Sequence, residues 1–153
     1  MPSILFVCTG NICRSPMAAA LFQKVLAGSA QQENWQIGSA GTWTTEGQQA
    51  AVEAIQVMAE KGCDIRAHRS RLVNEYLLNH HNLILTMALD QKQALHLEFP
   101  FYADQIFMLS EMTGVQVSVP DPSGGTLDQF RAAANQIERL ILRGLPKIRE
   151  LAA

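Results

Sequence analysis

The sequence predicts an α/β fold: a single domain over residues 1–153, built as a doubly wound sheet of four parallel strands with helices on both faces. Three observations carry that expectation. Four short runs rich in β-formers, residues 3–7, 35–39, 82–87 and 105–109, alternate with segments of helical spacing, the pattern that yields right-handed β-α-β units. The first run, Ser3 to Val7, is apolar without alternation, as suits a strand buried on both faces. At 153 residues the chain is long enough to bury a core without disulfide staples.

Each element has a local reason. Ser15 reads as an N-cap with Pro16 at the first helical position, so that Met17 to Ala27 forms a helix ending near Gly28. A polar link then leads to the second strand and to a loop over Ala40 to Gly47. Gln48 to Lys61 carries Ala51, Ile55, Met58 and Ala59 at helical spacing, and Gly62 stops it. Leu72 to Leu78 is expected to be helical, as is Ala88 to Leu97 after the third strand. Thr126 and Gln129 match a capping box ahead of the stripe Leu127, Phe130, Ala134, Ile137, Leu140 and Ile141. Pro146 lacks the N–H a helix interior needs, which predicts a break or kink near Gly144.

Composition excludes several classes. A net charge of -2 gives no global pull toward nucleic acid or membrane. No run approaches the roughly 18 apolar residues of a membrane span, and the first residues lack the basic start and small-residue cleavage site of a signal peptide. Three cysteines is an odd count, and two share one loop, which points to free thiols in a reducing compartment, the cytoplasm.

That loop, Val7-Cys8-Thr9-Gly10-Asn11-Ile12-Cys13-Arg14-Ser15-Pro16, holds the chemistry. It runs from a strand into a helix N-terminus, where unpaired backbone N–H groups and the helix dipole favour an anion. A free cysteine is only slightly ionised at neutral pH, so a nucleophilic one needs such donors beside it. The turn amides from Thr9 to Ser15 and the Arg14 guanidinium supply them, and the Ser15 hydroxyl is close enough in sequence to donate to the Cys8 thiolate. The same donors suit a phosphate dianion, with Arg14 gripping two oxygens as charge redistributes. Gly10 and Asn11 are the residue types that best tolerate the left-handed backbone such a turn requires.

A leaving group also needs a proton. Asp121, held between Pro120 and Pro122 and followed by two glycines, is the candidate general acid, and afterwards the base for water. These residues together imply a phosphatase that passes through a cysteinyl-phosphate. No histidine spacing suggests a metal, and no cofactor is implied. Taken singly, His68 reads as a hydrogen-bonded structural residue, Cys63 as an inert thiol, Trp43 as a partly buried aromatic and the Arg66 to Arg71 cluster as a solvated basic loop. Cys13 is placed to form a disulfide with oxidised Cys8 and so shield it.

The loop and the late Asp121-Pro122 resemble the low-molecular-weight protein-tyrosine phosphatases. The resemblance extends through Ser39-Ala40-Gly41-Thr42, Ala67-His68-Arg69-Ser70 and Leu83-Ile84-Leu85-Thr86-Met87. By position it implies Cys8 as nucleophile, Arg14 and the loop as phosphate binder, Ser15 as thiolate support and Asp121 as general acid and base. It also gives Asn11, Ser39 and His68 a bracing role and places Trp43, with Ile12, in the wall of the pocket. A phosphorylated protein is the implied substrate, met by a monomer.

Ser123-Gly124 stands where many members carry an aromatic pair that holds the phosphotyrosine ring. The segments Met87 to Lys92 and Pro122 to Thr126 are also similar to the bacterial branch containing protein-arginine phosphatases, whose members acting on phosphoarginine carry threonine at the position of Ile12. An isoleucine wall suits a flat phenyl ring, which favours phosphotyrosine, with phosphoarginine as the alternative. Thioredoxin-coupled arsenate reductases share the loop but require later cysteines, and none follows Cys63. A non-catalytic phosphate-binding module would need neither Cys8 nor Asp121.

Overall fold

The strand β1 (Ser3–Cys8) is buried at every position and forms the axis of the sheet. The computed structural model describes residues 1–30 and 33–153; residues 31 and 32, in the polar link, lie outside the described residues. After β1 come α1 (Arg14–Ala27), β2 (Gln36–Gly41), α2 (Val52–Glu60), α3 (Glu75–Asn79), β3 (Leu83–Thr86), α4 (Leu89–Glu98), β4 (Ile106–Met108) and α5 (Leu127–Ala152). The four strands are parallel in the order β2-β1-β3-β4. The chain thus moves to one side of β1 and then to the other, so the carboxyl end of β1 is the switch point where such sheets bind ligands. Cys8 is the last residue of that strand.

Side chains alternate between two cores. Ile4, Phe6 and Cys8 face α1, α2 and α5, where Met17, Phe22, Met58, Phe130 and Ile137 are buried. Leu5 and Val7 face the other layer, with Leu77, Leu78, Leu95 and Ile106. Each fully buried aliphatic or aromatic side chain contributes roughly 1.5–3 kcal/mol, and the first layer holds most of them. Glu138 of α5 pairs with Lys61 at 2.8 Å and Lys24 at 3.4 Å, joining the three helices of that layer. No helix among the described residues is long and apolar enough to cross a membrane.

Local expectations fail in instructive places. α1 begins at Arg14 with Cys13 at its N-cap, so Ser15 lies inside the first turn and caps nothing. Pro16 is tolerated because the first four helical N–H groups have no intrahelical acceptor. β2 runs to Gly41 rather than ending at Ser39, because Gly41 continues its pairing with Cys8. α2 starts at Val52, four residues after Gln48, and α3 starts at Glu75, where Asn74 accepts from the Leu77 amide as N-cap. β4 is only three residues, flanked by 3-10 turns over Pro100–Gln105 and Leu109–Thr113.

The capping box at Thr126 and Gln129 is present, but α5 continues unbroken for 26 residues through Pro146. The carbonyl that Pro146 leaves without a donor is that of Leu142, four residues earlier. Leu142 is exposed, so water can serve it. Gly144 is buried because it lies against the 3-10 turn: a Cβ there would sit 2.6 Å from Met112 Cβ. Gly144→Val should therefore lower the unfolding free energy by about 1–3 kcal/mol through overpacking. Urea denaturation measures this, and an unchanged midpoint would mean that Met112 yields freely.

Candidate active site

Every carbonyl of the loop after β1 has a donor, and those of Thr9 to Ile12 are held from outside. Cys8 O accepts from Thr42 N at 2.9 Å, Thr9 O from Trp43 N at 3.1 Å, Ile12 O from Ala51 N at 2.8 Å and Cys13 O from Met17 N at 3.3 Å. Gly10 O accepts from Thr44 Oγ1 at 2.7 Å, and Asn11 O pairs with His68 Nε2 at 2.6 Å. A trans peptide unit points its N–H opposite its C=O. Tying Thr9 to Ile12 outward through their carbonyls therefore turns the amides of Gly10, Asn11, Ile12 and Cys13 to the other side. Among the described residues none of those four amides has a backbone acceptor.

Asn11 is the keystone of the turn. It holds φ at 55°, the left-handed region that asparagine tolerates. Its Oδ1 accepts from Arg71 N at 2.9 Å, which fixes the orientation of the amide. Its Nδ2 then donates to Ser15 Oγ at 2.8 Å and Ser39 Oγ at 3.0 Å. Because Ser15 Oγ already accepts from Asn11, its proton is free to point at Cys8 Sγ, 2.9 Å away. Ser15 N adds a second donor to that sulfur at 3.4 Å. This is where the hydroxyl assigned to capping is used.

Cys8, Thr9, Gly10, Ile12, Cys13, Arg14, Trp43, Asp121 and Ser123 line one cavity of about 230 Å³. Arg14 is buried, and its NH1 donates to Val119 O at 2.9 Å. Its Nε has no partner among the described residues, and an NH2 lies 3.6 Å from Asp121 Oδ2. A buried guanidinium with an unused donor beside an anion cradle is suited to an oxyanion ligand. Asp121 is exposed at the mouth, braced by Ser123 N donating to its Oδ1 at 3.0 Å. Ile12 is half-buried, whereas Trp43 lines the cavity but is 83% exposed, unlike the partly buried aromatic its type suggests. The described residues contain no group of His, Cys, Asp and Glu fit to hold a metal.

Residues 3–151 match the family model described as low molecular weight phosphotyrosine protein phosphatase. The chain belongs to that family. It is 38% identical over 146 residues to a protein-arginine-phosphatase of Geobacillus stearothermophilus, covering 95% of each chain. It is 37% identical over 149 residues to a probable low molecular weight protein-tyrosine-phosphatase, EpsP, of Ralstonia solanacearum, covering 97% of each. The crystal structure of the low molecular weight protein tyrosine phosphatase of T. tengcongensis superposes with a TM-score of 0.90 at 37% identity, covering 96% of this chain and 99% of the other.

In this low-molecular-weight phosphatase the second loop thiol is held out of the ordinary range. Burial first, then the Asp121 and Cys8 charges, push the Cys13 thiol up to about 12, so it stays protonated at neutral pH. All three cysteines are free, and Cys63 is half-buried away from the cavity. Of the basic cluster, Arg66 is forked onto Asp64, while Arg71 donates from Nε to Ser39 O at 2.9 Å. Sequence reasoning missed Thr44, Val119, Arg71 and Gln91, each reaching the loop from distant sequence or tying down its neighbours. Gly41 ends β2 beside the loop. The reason for a glycine is steric, since a Cβ there would collide with the Thr9 carbonyl oxygen.

Burial, reinforced by the Arg71 and Arg69 charges, lowers the His68 imidazole below its ordinary 6.5, although the Asn11 carbonyl pulls it upward. His81, buried and bonded through Nδ1 to Leu77 O at 2.7 Å, is lowered by burial, then by the charges of Arg71 and His80. The unfolded chain therefore binds more protons than the native one as pH falls below 6.5. The stabilisation is complete above that value and is lost as pH drops through the native values. The thermal midpoint should fall between about pH 7.5 and pH 5.5, with a shallower slope in His81→Gln. An equal slope in both proteins would remove His81 from the account.

Proposed function

We propose that this chain hydrolyses phosphotyrosine in proteins through a cysteinyl-phosphate. The observation that carries the reading is the arrangement of the loop: the Cys8 sulfur lies 2.9 Å from Ser15 Oγ and 3.4 Å from Ser15 N, in a turn whose four amides point away from their outward-held carbonyls. In the first step the Cys8 thiolate attacks phosphorus, and the bond from phosphorus to the phenolic oxygen breaks. The Asp121 carboxyl gives its proton to that oxygen. The loop amides and Arg14 hold the three non-bridging oxygens while charge redistributes. In the second step Asp121 takes a proton from water as its oxygen attacks phosphorus, the phosphorus–sulfur bond breaks, and orthophosphate leaves with Cys8 a thiolate again.

The roles of the remaining residues follow their contacts. Asn11, Ser39 and His68 brace the loop, Ser15 supports the thiolate, and Ile12 and Trp43 form the walls for the ring. Cys13 is assigned the protective disulfide with oxidised Cys8, its protonated state keeping it out of the main reaction. No metal or cofactor enters these steps. We place the activity in the cytoplasm, in a monomer in which residues 1–153 form one catalytic domain, and free thiols support the reducing compartment.

A specific observation keeps a second substrate in view. Relatives of comparable identity are named for phosphoarginine as well as phosphotyrosine, and no aromatic ring follows Asp121 here. The apolar Ile12 wall and the exposed Trp43 favour the phenyl ring. Hydrolysis of a phosphotyrosine and a phosphoarginine peptide should be compared under reducing conditions, with Cys8→Ser as the blank. We expect kcat/KM to favour phosphotyrosine by about tenfold or more. Preference for phosphoarginine would reassign the substrate, and turnover of neither would leave an anion-binding module.

A further inference from the structure

We infer that Thr9 presents its hydroxyl proton to the phosphoryl group in the cavity and that Gln91 is the positioning residue that aims it. The inference rests on the phosphatase reading above but has its own readout. Gln91 lies at the start of α4 and is 1% exposed. Its Oε1 accepts from Met87 N at 3.0 Å and Ala88 N at 2.9 Å, which ties the end of β3 to the helix. Those two donors leave one orientation for the amide, so Nε2 must face the other way. There it meets Thr9 Oγ1 at 3.2 Å, across 82 positions of sequence.

The direction of that bond has a consequence. An amide nitrogen only donates, so Thr9 Oγ1 is the acceptor and its own proton cannot point toward Gln91. Among the described residues Thr9 Oγ1 has no other partner. The Thr9 backbone is fixed by its carbonyl on Trp43 N, and the residue lines the cavity beside Cys8 and Arg14. The hydroxyl proton is thus steered toward the space where the phosphoryl oxygens collect, in the same way that Asn11 frees the Ser15 proton for Cys8. Stapling β3 to α4 would need only the oxygen of Gln91; the buried nitrogen serves the loop.

Gln91→Glu separates the two roles. It keeps an oxygen for Met87 N and Ala88 N but replaces the donor with an acceptor, so Thr9 turns its proton to Glu and away from the cavity. Orthophosphate affinity, by titration calorimetry and by inhibition of aryl phosphate turnover, should weaken about 3–10-fold in Thr9→Val, the value of one neutral hydrogen bond. Thr9→Ser should recover most of that loss. Gln91→Glu should weaken binding at least as much with a thermal midpoint close to wild type, and adding Thr9→Val to it should cost little more.

Wild-type orthophosphate affinity in Thr9→Val would overturn the inference. So would full additivity of Thr9→Val and Gln91→Glu, which would trace the second effect to charge alone. Calorimetry reads both without turnover, so a failure of the phosphatase reading stays distinguishable from a failure of this one.

Discussion

The constraint on which the rest depends is the outward capture of the loop carbonyls. Five consecutive carbonyls, from Cys8 to Ile12, are held by Thr42, Trp43, Thr44, His68 and Ala51. A planar peptide cannot turn its carbonyl out without turning the following amide in. The anion cradle is therefore set by the surroundings of the loop rather than by the loop sequence alone. The loop rests on the core beneath: β1 buried on both faces, with α1 and α5 packed over it.

The site also divides labour by the direction of single protons. Arg71 N fixes the Asn11 amide, Asn11 fixes Ser15, and Ser15 serves Cys8. Gln91 does the same for Thr9 from the start of α4. Of the two thiols in the same turn, Cys13 is buried beside Asp121 and stays protonated, while the Cys8 sulfur lies 2.9 Å from Ser15 Oγ and 3.4 Å from Ser15 N. Arg14 is anchored at one nitrogen on Val119 O, which leaves the rest of the fork to face the cavity and Asp121.

Much of this was legible because it is local. The strand, the cysteine loop and the following helix occupy consecutive residues, and their types state their conformations; the four-strand sheet and the family follow from the same signals. The errors are where distant contacts override local ones. Ser15 looks like a cap because serine before proline usually is one, but its hydroxyl is taken by a sulfur seven residues back. Pro146 looks like a break, yet the carbonyl it leaves without a donor belongs to the exposed Leu142 and the helix continues. Thr44 and Gln91 meet the loop across 34 and 82 positions, separations at which a single sequence carries no pattern.

The most direct measurement is of the covalent intermediate. Asp121→Asn, which lacks the base for the second step, should be mixed with a phosphorylated aryl substrate, quenched within the first turnovers and mapped by mass spectrometry of the peptide ending at Arg14. The account predicts one phosphoryl group on Cys8, absent from Cys13 and absent when Cys8→Ala is added. Turnover with no phosphoryl group on Cys8, or with the group on another residue, would contradict it.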